Sequence, residues 1–375
     1  MSESDIPEPD ALEGVPHPRL TPRLFGQGEA EATFLEACTS GRLHHGWLVT
    51  GPRGVGKATL AWRIARFLLS RDTPGEGNLL GDNAPAPVRS LDVPMDAPIS
   101  RRISALAEPR LALCRRGWDE KRRRLKTVLT VDEVRKLIGF FHLSSADGGH
   151  RVALIDSVDE MNPSAANALL KLLEEPPAHS TLLLISHSPM GLLPTIRSRC
   201  RTLACKPLGA HDMALALQGL GQTTEGMDDQ LEMLASGSVG AAVRILSEDG
   251  LQLYTTLIAL LGRPGQMERQ QAIKLAESCT GAAGVPRYDL CLRLLERLLH
   301  RLACAGLGQA TPPLADAELL KRLSPNPHAS RRWANLAADL SARSQHARAV
   351  NLDPASVILD MLVKIDRMAA EHVLA

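Results

Sequence analysis

The chain has 375 residues, and 43 Lys and Arg against 42 Asp and Glu leave a formal net charge of +1. That length exceeds one ordinary domain, and 44% hydrophobic with 23% charged residues excludes a disordered polymer or an evenly basic nucleic-acid coat. Aromatics reach only 3%, which excludes a base-stacking platform and makes any core aliphatic.

The first 14 residues are acidic and carry no apolar run, so they do not read as a signal peptide. Residues 1–22 are polar and proline-rich, and the expectation is a flexible arm. Helical spacing begins over 29–39, followed by a short apolar strand at 46–50, a glycine-rich turn, and an amphipathic helix over 59–70. Residues 72–100 are rich in Pro and Gly without periodicity and read as a loop or insertion. A basic segment follows, so that 72–126 forms one loop and basic insertion; from Arg101 to Lys126 ten Lys and Arg face three Asp and Glu. Such a local +7 suits contact with nucleic-acid phosphates, or simply a solvated helix face.

Residues 131–141 read as a helix, 151–156 as a buried strand, 167–175 as a helix stopped by Pro176 and Pro177, and 181–186 as a second buried strand. Strands alternating with helices predict a parallel sheet, with ligands at the carboxyl ends of its strands. Beyond Pro207 only helical patterns occur: 211–220, 228–235 and 240–246, then long ones at 288–305, 328–345 and 355–370. The expected division is an α/β domain over 23–206, a small helical domain over 207–248 and a larger helical one over 249–375. No run of 18 apolar residues occurs, so no spanning helix is expected. Seven cysteines without a Cys-x-x-Cys pair suggest reduced thiols and a cytoplasmic setting.

The turn Gly51-Pro52-Arg53-Gly54-Val55-Gly56-Lys57-Ala58 fits a phosphate-binding loop in all but its last position. Gly51, Gly54 and Gly56 let backbone N–H groups curl around phosphate oxygens, and Lys57 adds a point charge at a helix N-terminus. Ala58 lacks the hydroxyl that would bind Mg²⁺, and Thr59 is rotated about 100° around the helix from that position. Asp156 ends its strand where such proteins hold the metal, yet the next residue is Ser157, a poor base for water. Asp159 and Glu160 read as ordinary charges at a helix start. Ser186, at the next strand end, is placed to face a terminal phosphate or to be a plain strand-end hydroxyl.

The segment Asn167-Ala168-Leu169-Leu170-Lys171-Leu172-Leu173-Glu174-Glu175-Pro176-Pro177, then Pro194-Thr195-Ile196-Arg197-Ser198-Arg199-Cys200, resembles the AAA+ subunits of bacterial replicative clamp loaders. Leu43-His44-His45-Gly46 and the helical last third agree, and the resemblance covers 20–375. It implies a P-loop AAA+ parallel-sheet domain, then a helical lid and an all-helical collar that joins subunits. It also implies that Arg199, within Ser198-Arg199-Cys200, reaches the ATP of a neighbouring subunit. A motor subunit of this family needs a hydroxyl at position 58, glutamate at 157 and an arginine at 240; this chain has Ala58, Ser157 and, in Gly237-Ser238-Val239-Gly240, a glycine. Arg244 lies one helical turn later.

By resemblance the chain is therefore the stator kind, holding ATP weakly or without hydrolysis through Gly51, Gly54, Gly56, Lys57, Asp156 and Ser186. Implied partners are gamma/tau-type ATPase and delta subunits, with the sliding clamp and primed DNA reached through the complex of a DNA polymerase holoenzyme, and no membrane. Zinc modules occur in the family, but only Cys114 lies in the matching interval, so no metal is expected. His44 and His45 read as packing or turn residues. The competing readings are an active motor using Lys57, Asp156 and Glu160, and a P-loop nucleotide kinase.

Overall fold

A computed structural model describes residues 8–71, 90–121, 123–142, 149–222, 228–308 and 316–373. Residues 1–7 of the expected arm, and 72–89 and Arg122 of the expected insertion, lie outside the described residues. The chain forms two compact units, one of residues 1–223 with 237–240, the other of 224–236 with 241–375. The stretch 207–248 is thus divided between them.

In the first unit, α1 (Gly28–Thr39) turns Ala30, Phe34 and Ala37 inward, one apolar stripe at helical spacing. β1 (Gly46–Thr50) is buried throughout, and its Trp47 ring lies 5.0 Å from that of Phe34. α2 (Lys57–Arg71) is buried on nearly every side, which a surface helix could not tolerate with two arginines unless both were satisfied. Arg63 meets Glu31 at 2.9 Å, Asp92 at 2.7 Å and the Pro22 carbonyl at 2.9 Å, while Arg66 donates to the Arg19 carbonyl at 2.7 Å. α3 (Pro98–Ser104), β2 (Leu111–Arg115) and a small hairpin of β3 (Trp118–Asp119) with β4 (Arg124–Leu125) follow.

Next come α4 (Val131–His142), β5 (Arg151–Asp156), α5 (Pro163–Glu174), β6 (Ser180–Ser186), α6 (Pro194–Arg197), β7 (Arg201–Ala204) and α7 (Ala210–Gly219). α5 starts where it does for two local reasons: Pro163 suits its first turn, and the Asn162 side chain accepts from Ala165 N at 2.8 Å. The five strands lie in the order β2-β5-β6-β1-β7, every pair parallel. β5 and β6 are continuous apolar runs because helices cover both faces, as a parallel sheet requires. Leu169, Leu172 and Leu173 of α5 pack with Leu182 and Leu184 of β6 and Leu137 of α4 in one core. The register leaves Thr50, Asp156 and Ser186 at the carboxyl edge, beside the glycine-rich turn.

The structure differs from the sequence reading in three places here. β2 lies inside the stretch read only as basic insertion, and β7 is an edge strand that the pattern did not signal. Over its described part, 8–22, the arm is fastened rather than loose: Arg115 of β2 holds Glu8 at 3.0 Å and Asp10 at 2.9 Å. His17 lies 3.0 Å from Asp10, and Arg19 reaches Glu8 at 2.7 Å.

Past α7 the described chain is helical: α8 (Asp228–Ala235), α9 (Val239–Ser247), α10 (Gly250–Leu261), α11 (Arg269–Glu277), α12 (Gly281–Ala305), α13 (Ala317–Leu323), α14 (Pro327–Ala349) and α15 (Pro354–Val373). Inside the second unit the guanidinium of Arg301 is buried against Asp316, at 2.9 Å from one oxygen, and Tyr254 donates to the other at 2.9 Å. A pair this deep is tolerated only because both charges are hydrogen-bonded. No described helix is long and apolar enough to cross a membrane.

Candidate functional site

Two sites were expected in the first unit, a phosphate loop at the sheet edge and an outward arginine. The loop between β1 and α2 has the backbone of a phosphate cradle, with Gly51 at φ +140° and Gly54 at φ +77°, values other residues rarely adopt. Space enforces the choice as well: a Cβ on Gly51 would stand 2.3 Å from the Cys205 carbonyl oxygen. The loop's anion-binding groups are turned to internal use. Lys57 is 3% exposed, and its ammonium donates to the carbonyls of Gly51 at 2.7 Å and Pro52 at 2.5 Å. Burial pulls its pKa down to about 8.

The segment carrying Ser238 and Gly240 closes on the same loop. Ser238 Oγ donates to the Arg53 carbonyl at 2.7 Å, and Gly240 N donates to the Gly54 carbonyl at 3.0 Å. A Cβ on Gly54 would lie 2.9 Å from the Gly240 Cα and 2.4 Å from Ser238 Oγ. Gln27 braces the far side, donating to the Val55 carbonyl at 3.0 Å and to that of Lys206 at 2.8 Å.

At the carboxyl end of β5, burial, then the charges of Asp10 and Glu160, push the Asp156 carboxyl up to about 7 against the pull of Lys57 and Arg53. Ser157 is 2% exposed, and its hydroxyl has no partner among the described residues. Glu160 is held by Arg116 at 2.8 Å and Arg53 at 3.5 Å, so it is engaged as an ion-pair acceptor. Asp159 is more than a helix-start charge: it accepts from Ser186 Oγ at 2.8 Å, His187 N at 2.5 Å and Ser188 N at 3.2 Å. The Ser186 hydroxyl is therefore spent on Asp159 rather than held toward a phosphate. Burial, with Lys57 and Arg53 nearby, drives the His187 pKa down to about 4.

Against ATP and Mg²⁺ this set fits unevenly. The loop N–H groups of Gly51, Gly54 and Gly56, with Lys57, suit phosphate oxygens, but Lys57 would first have to leave two carbonyls. For a metal, Ala58 supplies no oxygen, and the Asp156 carboxyl, pushed up to about 7 by burial, would have to give up its proton on binding. Among the described residues no group of His, Cys, Asp or Glu is arranged to hold a metal ion. Cys114 is a buried thiol pushed up to about 12, while His44 and His45 stack 4.3 Å apart and bond to the Gly46 and Leu173 backbone. Arg244 lies in α9, within the second unit.

Five of the ten Lys and Arg of the basic segment form ion pairs among the described residues. Arg102 and Arg110 both hold Glu108 at 2.8 Å, Arg115 holds Glu8 and Asp10, Arg116 holds Glu160, and Lys126 lies 3.6 Å from Glu133. Glu8 and Asp10 carry no sequence signal as parts of this network, because they sit over a hundred residues from Arg115 and no spacing rule links them.

Arg199 stands apart from the loop, one residue beyond the C-cap of α6. Its side chain is 36% exposed; Nη1 donates to the Thr195 carbonyl at 3.1 Å and Nη2 meets Glu174 at 3.0 Å.

A family model described as "DNA polymerase III, delta subunit" matches residues 26–209. The chain is 36% identical over 202 residues to DNA polymerase III subunit delta' of Pseudomonas aeruginosa, a match spanning 54% of this chain and 55% of that one. It is 28% identical over 332 residues to the subunit delta' of Escherichia coli K12, covering 87% and 90% of the two chains. It is 26% identical over 317 residues to DNA polymerase III subunit tau of Salmonella typhimurium, covering 78% of this chain and 45% of that one. Matches to the first and third of these thus span about half the relatives' lengths.

Proposed function

Because the chain belongs to the DNA polymerase III clamp-loader family, we propose that it acts there as the delta'-type stator, giving an arginine to a neighbour's ATP while hydrolysing none itself. The observation that carries this reading is a contrast within one unit. Lys57 is folded onto its own loop, whereas Arg199 is held at the surface with N–H groups to spare. An arginine meeting a transferring phosphoryl group stabilises charge that grows in the transition state, an effect of about 10³–10⁵ in rate.

In this reading gamma/tau-type subunits supply the hydrolysed ATP, a delta subunit completes the ring, and the complex handles the sliding clamp and primed DNA in the cytoplasm. The helical second unit forms the collar. ATP at this chain's own loop is bound weakly or not at all, since its lysine and Ser186 are engaged and Ala58 offers no metal ligand. Five of the ten Lys and Arg between Arg101 and Lys126 are ion-paired among the described residues, so the charge there for DNA phosphates is smaller than the sequence count.

The test uses the reconstituted loader. Arg199→Ala should leave the complex intact by gel filtration and cut its DNA-stimulated ATP hydrolysis; an unchanged rate removes the arginine claim. The isolated protein should turn over no ATP, and turnover abolished by Lys57→Ala would make it a motor.

A further inference from the structure

We propose that Glu174 is the positioning residue for Arg199, holding its guanidinium at the surface in the orientation that meets a neighbouring phosphate. This rests on the trans-arginine reading above and adds to it the device that aims the arginine.

Glu174 is the last residue of α5, where the helix's exposed carbonyls favour cations and disfavour a carboxylate. An acidic side chain there is a poor choice for the helix alone. It is offset by Arg199, whose Nη2 lies 3.0 Å from Glu174 Oε1, so the cation that suits this helix end arrives from another segment. The second anchor is backbone: Arg199 Nη1 donates to the Thr195 carbonyl at 3.1 Å. Two bonds on different nitrogens fix the plane of the fork, and a guanidinium has five N–H groups, so three remain for phosphate oxygens.

The seat beneath the pair is built to stay still. His45 Nε2 lies 3.1 Å from the Leu173 carbonyl, bracing the last turn of α5 immediately before Glu174. At Gly46 a Cβ would stand 3.2 Å from the Arg199 carbonyl oxygen and 3.1 Å from Leu173 Cδ2, so this glycine lets both segments close on the start of β1. Two sequence features that otherwise stand far apart, the His44-His45-Gly46 turn and the end of α5, converge on one arginine.

Glu174 is half exposed, which sets the scale. A solvent-exposed ion pair biases geometry by a factor of roughly 1.5 to 5. The experiment compares kcat and KM for ATP of the reconstituted loader with Arg199→Ala, Glu174→Gln, Glu174→Asp and the Arg199→Ala/Glu174→Gln double variant. The Arg199-dependent part of the rate is the difference between the parent complex and Arg199→Ala. Glu174→Gln is expected to lower that part about two- to fivefold in kcat, leaving KM for ATP unchanged. Glu174→Asp should fall between, and the double variant should equal Arg199→Ala alone.

A merely structural role for Glu174 would lower the rate equally in the Arg199→Ala background, and that result overturns the proposal. So does a full rate in Glu174→Gln while Arg199→Ala is impaired, an outcome that leaves the trans arginine standing. No effect of Arg199→Ala removes the parent reading and this one with it.

Discussion

Asp156→Asn should stabilise the first unit, and only above a defined pH. Asp156 has a carboxyl raised from 3.8 to about 7, chiefly by burial and then by the charges of Asp10 and Glu160. Between those two values the native state keeps a proton that the unfolded chain has released, so stability falls as pH rises through the window and is level above it. A shift of about three units sets a ceiling of ~4 kcal/mol. Partial exposure of the strand end roughly halves that to ~2 kcal/mol. Asparagine has the same shape and no proton to lose. The variant should match the parent at pH 4 and exceed it by ~2 kcal/mol at pH 8, a rise of roughly 4–8 °C in Tm for a unit of this size. Urea titrations from pH 4 to 8 suit the test, with Trp47, Trp62 and Trp118 reporting on this unit by fluorescence. An equal gain at both ends of the range, or a loss at pH 8, refutes the electrostatic argument.

Other perturbations probe packing. Gly54→Ala adds a Cβ at φ +77° and 2.4 Å from Ser238 Oγ, and should cost roughly 2–3 kcal/mol in the same titration. Asp316→Ala strands the buried Arg301 charge and should lower stability of the second unit by ~3–5 kcal/mol, while adding Arg301→Met should recover most of it in thermal melts. Asn162→Ala removes the α5 cap and should cost ~1 kcal/mol in the urea titration.

Elements whose pattern is local were legible before any coordinates. β5 and β6 announce themselves as apolar runs, and Pro176 and Pro177 stop α5 within one residue of its end. The α/β sheet and the helical remainder followed from their alternation. β2 was hidden because its five residues sit in a basic stretch and are half-buried at an edge. β7 is only four residues long, and Leu203 is its one buried side chain, so it carries no strand pattern. Roles that depend on distant partners were equally out of reach. Asp159 organises residues 27 to 29 positions away, and Arg115 is neutralised from position 10, so a tally of neighbouring charges overstated the field of the basic segment. The glycines of the loop and the outward arginine were visible as motifs. What the motif could not reveal is that two of the lysine's three N–H donors are already engaged by the loop's own carbonyls.

The contact between Gly54 and Gly240 bears on which substitutions this loop can accept. The Gly240 Cα sits 2.9 Å from where any Gly54 side chain would begin, and a Cβ on Gly240 would meet the Gly54 Cα at the same distance. Any side chain at position 240 therefore requires one of the two backbone segments to shift. The two glycines thus constrain each other: a side chain at either position opens the closed loop.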